Sequence, residues 1–305
     1  MPAERLLLLD GHHLFHRTYN ALPRSIVGMD GAPIQGVYGF VGALLKLARR
    51  FGPSHVCVAL DPPDPPFRRA LFPGYRTGRP TGTPEELANF DAQVAQVEQV
   101  LDYLGVRHVS VPGYEADDAL GTLAIRAAAA GLPTIIVSGD RDLLQLVNPL
   151  VEVFMPRGQD GEVYTPTTVQ QRFGVRPDQF VDYKALVGDA SDKIPGVPGI
   201  GPRTAATLLT QHGTITALAA TPDALPPRQA SLLGTYRERI ALNQRLMTIV
   251  TVLDLSLDLD ACRWALTTPW TASTLLATLG LRRAASAPLP PVADAPAQHA
   301  PAGDH

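Results

Sequence analysis

Short apolar runs alternate with longer amphipathic segments along the first half of the chain. The candidate strands, each ended by a polar residue or a turn, are 5–9, 55–60, 106–111 and 134–137. The candidate helices, whose apolar residues recur at three- and four-residue spacing, are 35–51, 85–104 and 115–130. This alternation predicts an α/β fold, with a largely parallel central sheet and helices on both faces.

The pattern changes near Thr165, beyond which strand-like runs fade and helical segments dominate. We therefore predict an α/β domain over 1–164 and a helical region over 165–283. Two stretches rich in Gly and Pro interrupt the pattern, at about 62–84 and 188–203. The Ala/Pro-rich tail at 284–305 lacks apolar periodicity and is expected to be disordered.

Composition narrows the class of protein. Hydrophobic residues make up 45% of the 305 residues and charged residues 18%, which excludes a wholly disordered chain. The net charge of −3 argues against a generally basic protein that coats nucleic acid. It does not exclude a local basic patch, because net charge does not describe how the charges are distributed. Cys57 and Cys262 are too few for a disulfide framework. No stretch is long enough for a signal peptide or a membrane span, so a cytoplasmic protein with no membrane partner is expected.

Acidic residues stand where predicted strands end. Asp10 ends the first strand, Asp61 ends the second, and Asp140 follows the fourth. Because ligands collect at the carboxyl ends of strands in an open parallel sheet, we expect these side chains to converge. Each Asp alone could belong to an ordinary turn, but three at the strand ends of one sheet favour a binding site.

The first turn of one predicted helix is denser in acids, with Glu115, Asp117 and Asp118. The helix dipole favours acids there by about 0.3–1 kcal/mol each, which accounts for one or two but not for three that repel one another. With further acids downstream, the candidate metal ligands are Asp10, Asp61, Glu115, Asp117, Asp118, Asp140, Asp142, Asp189 and Asp192. Oxygen-only ligand sets select Mg²⁺ or Mn²⁺, and two such ions are the usual device for phosphodiester hydrolysis. A structural Ca²⁺ site is the alternative, although no stretch has the EF-hand spacing.

The segment 194–209 reads IPGVPGIGPRTAATLL and is the most specific motif of the chain. Gly196, Gly199 and Gly201 predict a tight turn with open backbone N–H groups, followed by a helix N-terminus. Such a turn binds a phosphate without reading base sequence, and Arg203 adds a positive charge. The motif is typical of the hairpin in helix–hairpin–helix DNA-binding elements rather than of an ordinary connection between helices.

The stretch 62–84 interleaves aromatic residues with arginines, among them Phe67, Tyr75, Arg76 and Arg79. Aromatic rings stack on bases and arginines neutralise phosphates, so this composition favours single-strand binding. A solvated loop is the alternative for any stretch so rich in Pro and Gly. The position of this one, directly after Asp61, favours binding because the segment would overhang the acids.

Together these motifs resemble those of the 5′ nuclease family (5′→3′ exonucleases and flap endonucleases), most of all the N-terminal nuclease domain of bacterial DNA polymerase I. The resemblance runs from about Leu6 to about Leu281. The matching stretches are LLLLDGHHLFHR, GVYGF, YRTGRP, VPGYEADDAL, SGDRDLLQL and LVGDASDKIPGVPGIGPRTAATLL. The chain departs from the usual family residues at four positions, which are Arg76 and Arg203 (Lys), His16 (Tyr) and Lys193 (Asn). Only three of the 26 basic residues are Lys, so the chain favours Arg throughout. The two changes from Lys to Arg are therefore not interpreted as a loss of function.

The resemblance implies a mixed central sheet, a helical arch at about 62–84 over the active site, and a helix–three-turn–helix element at 194–209, often with bound K⁺. It also implies two Mg²⁺ ions, for which Mn²⁺ can substitute. The ligands of one ion would be Asp10, Asp61, Glu115, Asp117 and Asp118. The ligands of the other, partly through water, would be Asp140, Asp142, Asp189 and Asp192. Arg76 would act with the first set in catalysis. The implied DNA-binding residues are Tyr75, Arg76, Arg79, Gly196, Val197, Gly199, Gly201, Arg203 and Thr204.

The resemblance therefore predicts a metal-dependent DNase that removes 5′ flaps and degrades 5′ ends in DNA replication and repair. The expected partner is DNA with a single-strand/duplex junction, including RNA primers on DNA, and a separate DNA polymerase is a candidate partner. We expect a monomer at the bacterial nucleoid, either a free-standing nuclease or a fragment without a polymerase domain. The alternatives are a non-catalytic DNA-binding member and a PIN-like ribonuclease. The complete set of acids disfavours the first, and the glycine hairpin disfavours the second.

Overall fold

The computed structural model describes residues 4–62, 66–76, 82–158, 160–265 and 270–281. The strands are β1 (Leu6–Asp10), β2 (His55–Ala59), β3 (Arg107–Val109), β4 (Thr134–Val137), β5 (Val151–Arg157), β6 (Asp160–Tyr164), β7 (Gly188–Asp189) and β8 (Ile194–Pro195). Among these residues, the first six strands form one sheet and the last two form a short antiparallel ribbon.

Helices make up most of the remaining described chain. The first are α1 (Gly11–Ala21), α2 (Gln35–Phe51), α3 (Pro66–Leu71), α4 (Pro84–Tyr103), α5 (Ala116–Ala129) and α6 (Pro166–Phe173). The later ones are α7 (Phe180–Val187), α8 (Pro202–His212), α9 (Ile215–Ala220), α10 (Pro227–Thr235), α11 (Arg237–Met247) and α12 (Ala272–Thr278). Short 3₁₀ turns occur at Arg141–Leu146, Pro177–Gln179 and Pro222–Ala224.

The large sheet has the strand order β3-β2-β1-β4-β5-β6. Strands β1 to β5 run parallel, and β6 pairs antiparallel with β5 at one edge. The chain moves outward from β1 through β2 to β3, then returns to the other side of β1 with β4. This reversal leaves a crevice at the carboxyl ends of β1 and β4, where such sheets bind ligands.

Two apolar cores lie on opposite faces of the sheet because side chains alternate along each strand. Leu7 and Leu9 face α1, α2, α4 and α12, whereas Leu6 and Leu8 face α5 and the later helices. The predicted fold class, a largely parallel sheet with helices on both faces, is confirmed. Within the described residues no helix is long and apolar enough to cross a membrane.

Several of the described elements were not predicted from the sequence pattern. Helix α1 was not predicted; it follows β1 directly, and its N-terminus is capped by the carboxylate of Asp10, which accepts the N–H of His13 at 2.9 Å. The hairpin of β5 and β6 was also missed. Its strands mix Pro156, Gly161 and charged residues, so neither shows a clean apolar run. The structure describes two parts of the predicted arch, which are α3 with the turn through residue 76, and residues 82–84. Residues 63–65 and 77–81 of the predicted arch lie outside the described residues.

Close packing of α1 on α2 depends on glycine at position 39. A Cβ added to Gly39 would lie 2.5 Å from Cβ of Thr18 and 2.8 Å from Cδ1 of Leu22. Thr18 is fixed because its hydroxyl lies 3.0 Å from the carbonyl of Phe15 and 3.2 Å from that of Gly36. A larger residue at position 39 must therefore push the two helices apart.

We predict that Gly39→Ala lowers the free energy of unfolding by about 1–3 kcal/mol through overpacking. Gly42→Ala, in the same helix, is the matched control because its Cβ would meet only Cβ of Ala272, at 3.9 Å. The control should gain up to about 1 kcal/mol from helix propensity. Urea denaturation of both variants measures the difference, and equal stabilities would contradict the packing argument.

Candidate active site

The carboxyl ends of β1 and β4 fix the first acidic side chain. Asp10, the last residue of β1, accepts hydrogen bonds from the amide of His13 at 2.9 Å and from the hydroxyl of Ser138 at 2.7 Å. Ser138 follows β4 and is fully buried. Burial raises the pKa of Asp10, while His13 and the hydrogen bonds partly oppose that shift. Asp10 is thus held at the crevice between the two central strands.

The N-terminus of α5 brings further acids to the same crevice. Asp61, which follows β2, accepts the amide N–H of Ala116 at 2.7 Å and so caps the helix from another part of the chain. The amide of Asp61 in turn donates to Nδ1 of His12 at 3.0 Å. Glu115 is the N-cap residue, and its side chain is almost completely buried.

Asp117 is the most exceptional carboxylate of the group. It is 9% exposed, and its buried Oδ1 has no hydrogen-bond partner among the described residues. Burial raises its pKa well above the ordinary value, and the charges of Asp140 and Asp10 raise it further. A buried carboxylate oxygen without a partner is costly unless a cation binds it. The donor set around Asp117 consists of oxygen atoms, so it fits a hard divalent ion.

A second group of acids lies beside the first. Single oxygens of Asp142, Asp189 and Asp192 lie within 4.8 Å of one another. Lys184 of α7 forms ion pairs with both Asp142 and Asp189. Burial raises the pKa of Asp142 to about 7 despite the opposing charge of Lys184. Burial opposes ionisation of Asp189 as well, but Lys184 and bonds from Ser191 and Asp192 bring its pKa to about 2.

Arg76 joins the two groups of acids. Its Nη1 lies 3.0 Å from Oε1 of Glu115, its Nε 2.8 Å from Oδ1 of Asp192, and its Nη2 3.5 Å from Oδ2 of Asp140. The backbone of Arg76 has φ +50°, in the left-handed region that disfavours residues with a side chain. Its amide donates to the carbonyl of Asp192 at 3.2 Å, which holds this conformation. The structure therefore places Arg76 between acids of both groups, and its role in catalysis stays a prediction.

Asp118 lies behind the site rather than in it. The side chain is 0% exposed, and both oxygens pair with Arg68 of α3 at 2.8 Å. They also accept the amides of Val250 at 2.8 Å and Glu115 at 3.2 Å. With four hydrogen bonds its acceptors are filled, so this geometry gives no support to the prediction that Asp118 binds the metal.

The aromatic residues of the arch serve packing rather than base stacking. Tyr75 is 4% exposed, and its hydroxyl donates to Oε2 of Glu115 at 3.1 Å. Phe67 contacts Tyr114, with ring centroids 5.6 Å apart. The predicted stacking of bases on Tyr75 is therefore not supported, and Arg79 lies outside the described residues.

Sequence reasoning missed the roles of Arg68 and Lys184. Both are more than nine-tenths buried, and both pair with acids of the site. Local sequence gives little sign of them, because neither stands in an acidic motif. The available signal was electrostatic, since so many converging acids require cations from elsewhere in the chain.

The predicted glycine hairpin follows the ribbon of β7 and β8. The amide of Ile200 donates to the carbonyl of Val197 at 3.0 Å, and Gly199 between them has φ +87°, as a type II turn requires. A Cβ at Gly196 would lie 2.2 Å from the carbonyl oxygen of Val187, so the hairpin rests directly on the end of α7. Gly201, with open space at its Cβ position, precedes α8.

The N-terminus of α8 offers free donors to the solvent. Gly201 provides no side-chain cap, Pro202 occupies the first helical position, and Arg203 is exposed. The amides of Arg203 and Thr204 belong to the first turn, which has no intrahelical acceptors. Val197 differs, because its side chain is 3% exposed and its amide donates to Leu186 at 2.8 Å. The geometry therefore supports Arg203 and Thr204 as phosphate contacts and does not support Val197.

Comparison with known proteins agrees with this architecture. The model of the 5′-3′ exonuclease N-terminal resolvase-like domain matches residues 5–174, and that of the 5′-3′ exonuclease C-terminal SAM fold matches residues 175–269. Thermostable DNA polymerase I of Thermus filiformis is 42% identical over 263 residues, which are 86% of this chain and 30% of that protein. The chain thus spans about 30% of the length of the curated relatives it matches.

Solved structures show the same fold. The T5 5′-exonuclease with bound zinc has a TM-score of 0.67 at 22% identity, covering 81% of this chain and 90% of that one. The catalytic core of Rad2 in complex with DNA substrate has a TM-score of 0.57 at 12% identity, covering 92% and 89%. Since the two family models together match well over half of the sequence, the chain belongs to the 5′-3′ exonuclease family.

Proposed function

We propose that this protein is a metal-dependent 5′→3′ exonuclease and 5′-flap endonuclease that hydrolyses phosphodiester bonds of DNA. The observation that carries the proposal is the unpartnered, buried carboxylate oxygen of Asp117 in a site of converging acids. A decayed, purely DNA-binding member of the family has no need to retain such a costly group. Membership of the nuclease family and the Thermus relatives support the same reading.

Two divalent ions, Mg²⁺ with Mn²⁺ as a substitute, are proposed for the two groups of acids. Asp10, Asp61, Glu115 and Asp117 would hold one ion, and Asp140, Asp142, Asp189 and Asp192 would hold the other. When bound, such ions lower the pKa of water and stabilise negative charge at phosphorus. The zinc-bound T5 exonuclease supports a divalent metal without identifying it.

The chain's own residues divide the remaining work. Arg76 reaches both acid groups and would neutralise charge on the phosphate that is cut. The hairpin and the first turn of α8 would bind the phosphates of the duplex through backbone amides, with Arg203 adding charge. A K⁺ ion at this hairpin stays a prediction.

The proposed substrate is DNA with a junction between single strand and duplex, such as a 5′ flap or an RNA primer on DNA. A duplex-binding hairpin and an acidic centre would be two separate sites, which suits a junction better than a uniform strand. The DNA-bound Rad2 core supports DNA as the ligand class. Recruitment by a separate DNA polymerase, a monomeric state and a place at the nucleoid belong to the same proposal.

We predict metal-dependent cleavage of a 5′-labelled flap duplex near its junction. Asp117→Asn should lower kcat by about 10²-fold or more, because the carboxylate is lost where charge must be balanced, while affinity for the duplex is retained. Asp254→Asn, an exposed acid remote in sequence from the site motifs, is the control. Cleavage that continues in EDTA, or near-normal turnover by Asp117→Asn, would refute the metal mechanism.

We also predict that Asp117→Asn raises the Tm of the metal-free protein at pH 8. The pKa of Asp117 is raised by burial, so its carboxyl binds its proton more tightly in the folded chain than in the unfolded one. Stability is therefore present at low pH and is lost as pH rises, and the neutral Asn avoids that loss. The advantage should shrink towards pH 5, and Mn²⁺ should stabilise the wild type more than the variant. Thermal melts in EDTA and in Mn²⁺ measure both effects.

For the hairpin, we predict that Arg203→Ala weakens duplex binding and reduces the slope of log K against log salt by about 0.9, the value for one lost phosphate contact. Arg263→Ala is the matched control, because Arg263 is exposed but pairs with Asp260 away from the hairpin. Fluorescence anisotropy at several salt concentrations gives the slopes. An unchanged slope for Arg203→Ala would remove it from the interface.

A further inference from the structure

Helix α3 and the turn through residue 76 form the arch base. Arg68 of α3 is buried there, and each of its N–H donors makes a hydrogen bond. Its five N–H groups match five hydrogen bonds. Nη1 donates to Oε2 of Glu115 at 3.0 Å and to Oδ2 of Asp118 at 2.8 Å, and Nη2 donates to Oδ1 of Asp118 at 2.8 Å. The remaining two go to the carbonyls of Leu246 at 2.9 Å and Thr248 at 3.2 Å. A residue of α3 thereby joins α5 to the end of α11.

The same contacts control which oxygen of Glu115 faces the acids. Oε2 accepts from Arg68 at 3.0 Å and from the hydroxyl of Tyr75 at 3.1 Å. Oε1 contacts Arg76, which reaches on to Asp192 and Asp140. Glu115 is thus held with one oxygen towards the arch base and the other towards the centre.

We infer that Arg68 and Asp118 form a buried latch that fixes the base of the arch and presents Oε1 of Glu115 to the metal centre, with Asp118 acting as the partner of Arg68 and not as a metal ligand. This inference rests on the proposed metal-dependent function. Arg68 and Asp118 are positioning residues, since they would act through Glu115. The arch base and the metal centre are then one cooperative unit.

Neighbouring acids give the inference a matched control. Asp117 and Asp118 are adjacent in sequence, in the same helical turn, and both are buried. They differ in hydrogen bonding, because the carboxylate of Asp118 accepts four hydrogen bonds whereas Oδ1 of Asp117 accepts none. A ligand role and a latch role therefore predict opposite results for the two Asn substitutions.

The test is Mn²⁺ binding by calorimetry, together with melting in EDTA, for the full chain and its variants. Asp117→Asn should lose one bound Mn²⁺ and keep or raise its Tm. Asp118→Asn should keep the wild-type number of ions, bind Mn²⁺ about 10- to 100-fold more weakly through loss of support for Glu115, and melt earlier. A result in which Asp118→Asn loses an ion at unchanged Tm in EDTA overturns the latch.

A double substitution keeps the test informative where a single variant fails to fold. Arg68→Met alone leaves the Asp118 carboxylate buried without a counterion, with only the amides of Val250 and Glu115 as donors, so it should lower Tm strongly. Adding Asp118→Leu should restore much of that Tm, because an apolar pair of similar volume can replace a buried ion pair. The double variant should still bind two Mn²⁺ ions. If the two substitutions lower Tm additively, Arg68 and Asp118 are not coupled and the inference fails. If the double variant binds one Mn²⁺ ion fewer than the wild type, Asp118 is a metal ligand after all.

Activity then separates this inference from the proposed function. The double variant should cleave the flap substrate with a lower kcat and need more Mn²⁺ for half-maximal rate, with KM for DNA unchanged. A merely structural pair would leave the Mn²⁺ requirement as in the wild type. If the wild type itself binds no Mn²⁺, the proposed function fails, while the Tm comparison still decides whether Arg68 and Asp118 are coupled.

Discussion

Repulsion between buried carboxylates is the constraint on which the rest of this structure depends. Acids from the ends of β1 and β2, the start of α5 and the loop after α7 meet where water is largely excluded. Burial, together with the charges of neighbouring acids, raises the pKa of Asp10, Glu115 and Asp117. Such a cluster is stable only with cations among its members. Arg68, Arg76 and Lys184 supply them from α3, the turn that follows it and α7. The acidic centre therefore ties the arch base, the sheet and the C-terminal helices together.

The buried cations do not have equal roles. Arg68 has filled its donors, and removing one partner of such a buried pair costs about 3–5 kcal/mol, so it belongs to the permanent scaffold. Arg76 is more exposed, has a strained backbone and contacts mainly acids that are proposed to hold metal. Charge brought in by metal would weaken the hold of those acids on Arg76 and leave its guanidinium available to a phosphate. Lys184 has a role between these two, because it pairs with the proposed metal ligands Asp142 and Asp189 but belongs to α7, a helix of the core.

Periodicity was sufficient for the central strands and the long helices because each buries a regular apolar face. Leu6–Asp10 and Gln35–Phe51 were predicted to within about one residue. The edge hairpin was not predictable in this way, since β6 has Asp160, Gly161 and Glu162 in sequence and draws its stability from pairing with β5. Strand-end acids identified the position of the site, because parallel strands all direct their carboxyl ends to one edge. The counterions were not predictable, because a charge that pairs across about 50 residues of sequence leaves no local pattern.

The contrast between Asp117 and Asp118 shows what spacing alone leaves undetermined. Glu115, Asp117 and Asp118 crowd one helix start, and all three were predicted to be metal ligands. In the structure the same spacing forms a capping box, in which the carboxylate of Asp118 accepts the amide of Glu115 and so turns towards the helix axis and Arg68. Asp117 precedes Asp118 by one residue, which is a rotation of about 100° around a helix axis, and the charges of Asp140 and Asp10 act on its carboxylate. A run of acids at a helix start can therefore serve two purposes at once, and the number of filled acceptors on each carboxylate separates them.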